Sequence, residues 1–298
     1  MAAAVAIESD VLRVAALPEF GARVVSFIDK RSGREWIFQG GETSDTGEDA
    51  IYGADAAVGW DECFPTVSPW DASQTPWKRR LRDHGDIWGR PWMIDAQDAS
   101  SLTTTCASTE FAFTRSLSVA GPVLTAAYRV ENRMAAEMPF LWALHGLLAA
   151  TPADRIDLPD RRELGATYLA RAGSSFALPI VPWPDSTREL GFRLDEVQPE
   201  AAAFAGKFYD AGGARQAALG HGAEWLVIRW SAPIDALGLW LNYGGWPDPP
   251  RGHHLALEPT TAPVDHLGDA LDAGTAAWIK PGAAATWTIT LTLARTPS

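Results

Sequence analysis

The stretch Thr286-Trp287-Thr288-Ile289-Thr290-Leu291-Thr292-Leu293 alternates a threonine with a large apolar residue along its whole length. Successive side chains of a strand point to opposite faces, so this period of two predicts a half-buried strand with Trp287, Ile289, Leu291 and Leu293 on the covered side. The same signal, rich in β-branched and aromatic residues, recurs at residues 11–17, 23–28, 111–119, 124–130, 225–230 and 237–243. Turn chemistry separates the runs, as in Asp29-Lys30-Arg31-Ser32-Gly33 and Ala120-Gly121-Pro122. Only residues 161–170 suggest a short helical piece. Many strands without a regular strand–helix alternation predict a large all-β, antiparallel sandwich. Two long irregular stretches, residues 40–76 and 172–213, the latter with Pro179, Pro182, Pro184 and Pro199, read as functional or packed loops and not as domain boundaries.

Composition narrows the function. The 298 residues carry 25 Lys and Arg against 37 Asp and Glu, a net charge of −12 that repels phosphate backbones and anionic lipid surfaces. Nucleic acid and membrane are therefore not expected partners. Two cysteines, Cys63 and Cys106, make no disulfide framework and are read as reduced thiols. The first residues lack a basic region and meet Glu8 and Asp10 before an apolar stretch develops, which predicts a cytoplasmic, soluble protein. No GxGxxG, Walker A, GxSxG or HExxH pattern is present, and the six histidines match no metal spacing. His253 and His254, adjacent on a strand, would face opposite ways and make poor joint ligands. Neither a metal nor a cofactor is expected.

Fourteen tryptophans are a heavy load, and several sit beside Gly, Pro and acidic residues, as in Gly59-Trp60-Asp61-Glu62, Ile87-Trp88-Gly89 and Gly245-Trp246-Pro247. Flat indoles next to carboxylates suit a sugar, whose C–H face packs on a ring while its hydroxyls need polar partners at the rim. Trp60, Asp61, Glu62, Trp88 and Trp246 are thus candidate sugar-binding residues. The alternative is that the rings close the ends of the sandwich. His84, in Arg82-Asp83-His84-Gly85-Asp86, has the setting of an exposed or pocket-lining imidazole. His145 lies in an apolar run, where a polar group needs a partner. Glu258, by itself, is a carboxylate at a strand end, halted by Pro259.

Taken in order, these segments resemble the aldose 1-epimerase (galactose mutarotase-like) family over nearly the whole chain. Leu17-Pro18-Glu19-Phe20-Gly21-Ala22-Arg23 through Gly33-Arg34-Glu35-Trp36 is similar to that family's opening hairpin. Gly59-Trp60-Asp61-Glu62-Cys63-Phe64-Pro65 and Asp83-His84-Gly85 resemble its active-site loop and first histidine, and His145-Gly146 its second. Leu257-Glu258-Pro259 with the later Asp265-His266-Leu267-Gly268-Asp269-Ala270 resembles the catalytic glutamate segment, and Lys280-Pro281-Gly282 the usual ending.

The resemblance implies one β-supersandwich domain over residues 1–298 with a sugar pocket on one face. It implies Glu258 as general base, His145 as general acid, and His84 as a substrate-binding, polarising group, without a cofactor. Better-known galactose mutarotases carry an Asn-containing segment before the first histidine and a T-x-H-x-Y-F-N second one; in this chain stand Asp83 and Leu144-His145-Gly146-Leu147. This is the look of a divergent bacterial branch, so the identity of the sugar does not carry over.

Lys78, Arg79, Arg80 and Arg82 precede His84 and Arg90 follows it. A guanidinium such as Arg79, with Asp83 beside it, could meet a sugar phosphate, making a hexose-6-phosphate 1-epimerase an alternative. The same fold would also serve a non-catalytic sugar-binding or sensing module, or a polysaccharide-cleaving enzyme.

Overall fold

A computed structural model describes residues 4–40, 50–53, 57–247 and 252–297. In it the Thr286 stretch lies inside the eleven-residue strand Ala284–Ala294, with Trp287, Ile289, Leu291 and Leu293 buried, Thr288, Thr290 and Thr292 half-buried and Thr286 exposed. That strand pairs with Val123–Asn132 on one side and Glu224–Trp230 on the other. They sit in an eight-stranded sheet ordered Arg155–Asp157, Gln216–His221, Glu224–Trp230, Ala284–Ala294, Val123–Asn132, Phe111–Ala120, Ser101–Ala107, Met93–Gln97.

A twelve-stranded sheet packs against it. Its main path runs Val5–Glu8, Leu12–Leu17, Arg23–Asp29, Trp60–Cys63, Ala143–Leu148, His253–Thr260, Ala236–Tyr243, Phe204–Asp210, Glu163–Arg171, Ser174–Ser175. Among the described residues, every strand-to-strand ladder in these two sheets is antiparallel, as the alternating pattern predicts.

Aromatic rings fill the space between the sheets: Trp287 stacks on Tyr128 at 5.4 Å and meets Trp142 at 4.9 Å, while Tyr128 lies 5.0 Å from Trp142. Each such pair contributes roughly 0.5–1.5 kcal/mol beyond its buried area. The larger sheet is apolar on this side and mixed on the other. Leu144, Leu255 and Leu257 belong to the main core, whereas Leu147 and Ala256 form a separate small cluster with Ala57 on the opposite face. That opposite face carries the site.

Three expectations change. Residues 161–170 are not helical: Glu163–Arg171 is a strand paired with Phe204–Asp210, with a bulge between Ala166 and Tyr168. The stretch 172–213 contains the central strand Phe204–Asp210, whose Gly206 and Lys207 break the alternation that would have announced it. The stretch 40–76 contains Trp60–Cys63, while residues 41–49 and 54–56 lie outside the described residues. Cys63 and Cys106 are both buried and unpaired. Among the described residues no helix is long and apolar enough to cross a membrane.

Candidate active site

Strand register assembles the site. Ala143–Leu148 pairs with Trp60–Cys63 so that His145 stands opposite Asp61. On its other side, Ala143 pairs with Thr260 and Leu147 with Ala256, which sets His145 across from Glu258. Both strands turn alternate residues to the non-core face, so two residues 113 positions apart become neighbours there.

His145 is oriented from behind. Its Nδ1 lies 2.8 Å from Asp61 Oδ1, and Asp61 Oδ2 accepts from Arg23 Nη2 at 2.7 Å, with Asp61 and Arg23 both buried. Burial pushes the Asp61 carboxyl up, but Arg23 and His145 outweigh it and hold the group below its ordinary range. An ionised Asp61 accepting from Nδ1–H fixes the ring's orientation and leaves Nε2 as the nitrogen available to the cavity.

His84 comes from a loop held by backbone geometry. Its φ is 56° and that of Gly85 is 77°, both left-handed. A Cβ on Gly85 would lie 2.1 Å from the Phe64 carbonyl oxygen, so the close approach that fixes this loop needs glycine. The His84 ring stacks on Tyr52 at 3.5 Å and lies 4.8 Å edge-on from His145, with Nδ1 3.0 Å from Asp83 Oδ1. Burial, with His145 alongside, lowers the His84 pKa against the pull of Asp83, favouring a neutral ring. Tyr52 also places its hydroxyl 3.3 Å from His145 Nδ1.

These side chains open on a cavity of about 320 Å³, the size of a small-ligand site. Its polar wall holds Asp83, His84, His145, Glu258, Lys207 and Asp265; Leu147, Trp240 and Trp246 are among its apolar lining. Glu258 is buried and accepts a hydrogen bond from Lys207 Nζ on Oε2. Asp265 accepts from the Tyr209 hydroxyl at 2.7 Å.

Of the residues singled out from sequence, His84, His145, Glu258, Asp83 and Trp246 meet in this cavity. Asp61 stands behind His145 and is not on the cavity wall. Trp60 and Glu62, its chain neighbours, point the other way, into the core. Glu62 is fully buried and accepts from Trp60 Nε1, Arg115 Nη1, Tyr128 OH and Trp142 Nε1, tying the two sheets together. Burial pushes its carboxyl up to about 7 even against Arg115.

Trp88 is buried beneath the His84 loop, donating to the Asp83 carbonyl at 3.0 Å, and is not on the wall. Arg79 is turned away, bound to Glu110 at 2.7 Å and to Asp86, over the Trp77 ring. Its neighbours Arg80 and Arg82 line a second cavity of about 320 Å³ that shares Tyr52 and Asp83 with the first. Sequence reasoning missed Tyr52, Lys207, Trp240, His254 and Asp265 as wall residues. A lone lysine in Phe204-Ala205-Gly206-Lys207-Phe208-Tyr209 was the one signal that could have drawn attention.

No family model matches the chain, and no curated protein does. Solved structures do. The Slr1438 protein of Synechocystis sp. PCC 6803 superposes with a TM-score of 0.68 at 16% identity, covering 99% of this chain and 97% of its own. A galactose mutarotase related enzyme from Lactobacillus acidophilus gives 0.66 at 15% identity, covering 99% and 98%. The GalM/aldose epimerase homologue from C. elegans gives 0.64 at 14%, covering 99% and 100%. The chain has the galactose mutarotase-like fold, and identities this low speak for the fold alone.

Proposed function

We propose that this chain, as one domain, is an aldose 1-epimerase that interconverts the α and β anomers of a hexose or a related sugar. The observation that carries the reading is the facing pair His145 and Glu258 over one sugar-sized cavity, with His145 backed by Asp61 and Arg23. Anomer exchange needs a base for the C1 hydroxyl proton and an acid for the ring oxygen. Glu258 takes the hydroxyl proton, the O1 electrons form the aldehyde double bond, the C1–O5 bond breaks, and O5 receives the Nε2 proton of His145. Rotation about C1–C2 and reclosure by the reverse transfers gives the other anomer. His84, with Nδ1 toward Asp83, offers its second nitrogen to a sugar hydroxyl.

Polarimetry with NMR anomeric exchange on freshly dissolved α-glucose, α-galactose and glucose 6-phosphate tests this. The wild type should speed relaxation, and Glu258→Gln should lower kcat by roughly 10²- to 10⁴-fold with the melting temperature retained. Full activity in that variant overturns the assignment. Sugar binding by calorimetry without faster relaxation identifies a non-catalytic module instead. The second reading, a hexose 6-phosphate substrate, rests on Arg80 and Arg82 beside the cavity and not on Arg79. A preference for glucose 6-phosphate that Arg80→Ala abolishes would establish it.

A further inference from the structure

We infer that Lys207 is a positioning residue for Glu258, clamping one carboxylate oxygen so that the other is presented to the sugar. The inference rests on the epimerase reading. Lys207 and Glu258 belong to strands separated by Ala236–Tyr243, so their contact crosses an intervening strand. The crossing point is Gly238, which pairs with Glu258 on one side and with Tyr209 on the other. A Cβ there would lie 3.1 Å from Glu258 Oε2 and 3.3 Å from Lys207 Nζ. The absent side chain therefore leaves the gap in which the ion pair lies, and Gly238 needs no special backbone angle to explain it.

The lysine is committed to this task. Its side chain is 10% exposed and that of Glu258 2%. Nζ sits 5.3 Å from the Tyr209 ring centre. Burial pushes the ammonium down, but Glu258 and Asp265 outweigh it and keep the group charged. With Oε2 held, Oε1 is left for the C1 hydroxyl, and the carboxylate rotamer is fixed before substrate arrives, which is the condition for near-attack geometry. The ammonium also supplies a counter-charge against the base where burial has removed its water. Cys63, Tyr52 and Tyr209 feel the Glu258 charge, and the other titratable groups on the same cavity wall are His145, His254, His84, Asp83 and Asp265. Lys207 is the cation among them that touches Oε2.

The test is kcat and KM against pH for wild type, Lys207→Met, Lys207→Arg and Gly238→Ala, with melting temperatures alongside. Lys207→Met should lower kcat by about 10- to 100-fold and move the acid limb of the kcat profile to higher pH, because the ionised carboxylate loses its counter-charge. KM should change by less than about threefold if ground-state binding is untouched. Lys207→Arg should restore part of the limb's position. Gly238→Ala, with the lysine intact, should shift kcat and the limb in the same direction by less. A Lys207→Met protein with wild-type kcat and acid limb, or one changed only in KM, overturns the inference while the epimerase reading stands. Should Lys207→Met fail to fold, Gly238→Ala decides, and unchanged kinetics there overturns it. Absence of acceleration by the wild type with every sugar overturns the reading beneath it, and this inference with it.

Discussion

Asp61 and Glu62 are adjacent acids with opposite assignments. Asp61 faces His145, and its carboxylate is stabilised by Arg23. Asp61→Asn keeps the shape but removes the carboxylate that holds His145 Nδ1. The expected loss in kcat is on the order of 10² or more, by analogy with orienting carboxylates behind catalytic histidines, and polarimetry measures it. Glu62 faces the core and compensates Arg115, which is fully buried. Above about pH 7, where Glu62 is ionised, Glu62→Gln leaves that guanidinium without a counter-charge and should cost roughly 3–5 kcal/mol of stability. Chemical denaturation reads this; unchanged stability would show that Glu62 is not the counter-charge the core depends on. Residue types alone could not separate the two acids, since both stand beside Trp60 in one short acidic cluster, whereas period-two geometry separates them at once.

At the scale of single elements, the His84 loop and the Phe204–Asp210 strand show opposite degrees of legibility. Asp83-His84-Gly85 is a turn signal visible in sequence, and the structure supplies its reason in the left-handed Gly85 packed on Phe64. Gly85→Ala is expected to displace the loop and His84 with it, lowering kcat at least about 10-fold through lost positioning. Enzyme kinetics with a melting curve distinguish this from global unfolding. The Phe204–Asp210 strand was hidden because all seven of its residues are buried and Gly206 and Lys207 interrupt its apolar run, so it offers neither a solvent-facing polar side nor an unbroken alternation. With it went Lys207. The helical reading of residues 161–170 failed for a related reason: the bulge between Ala166 and Tyr168 disrupts the period of two within Glu163–Arg171.

For the molecule as a whole, acid should be destabilising in two stages. Burial, together with His145 and His253, depresses His254 to about 3, whereas an unfolded histidine titrates near about 6.5. Below about pH 6.5 the unfolded chain binds the extra proton, so stability falls as pH drops toward the folded value. Asp61 and Asp154 add a second stage. Burial raises each, but Arg23 and His145 around Asp61, and His221, the Thr151 amide and Arg34 around Asp154, hold both below their ordinary range. Their stabilisation is present above the unfolded value of about 3.9 and is lost as pH falls through the folded one. Glu62, pushed up to about 7 by burial, works against the His254 contribution between about pH 7 and 4.5, where the folded chain holds its extra proton, so melting temperatures should fall most steeply below about pH 4.5. His254→Leu should remove the His254 contribution and raise the melting temperature between about pH 6 and 4 relative to its value at pH 7, and an unchanged slope there would argue against a neutral buried His254. The all-β class, most of the long strands and the turns were determined by the sequence itself, because alternation and turn chemistry are local properties of a chain, whereas His84, His145 and Glu258 were given roles only through the family resemblance. Only the tertiary structure decided that His145 stands across from Glu258, that Asp61 supports it while Glu62 leaves for the core, and that Lys207 reaches Glu258 over Gly238. Those facts depend on which strands become neighbours and in what register, and that pairing is fixed by long-range packing that no local pattern records.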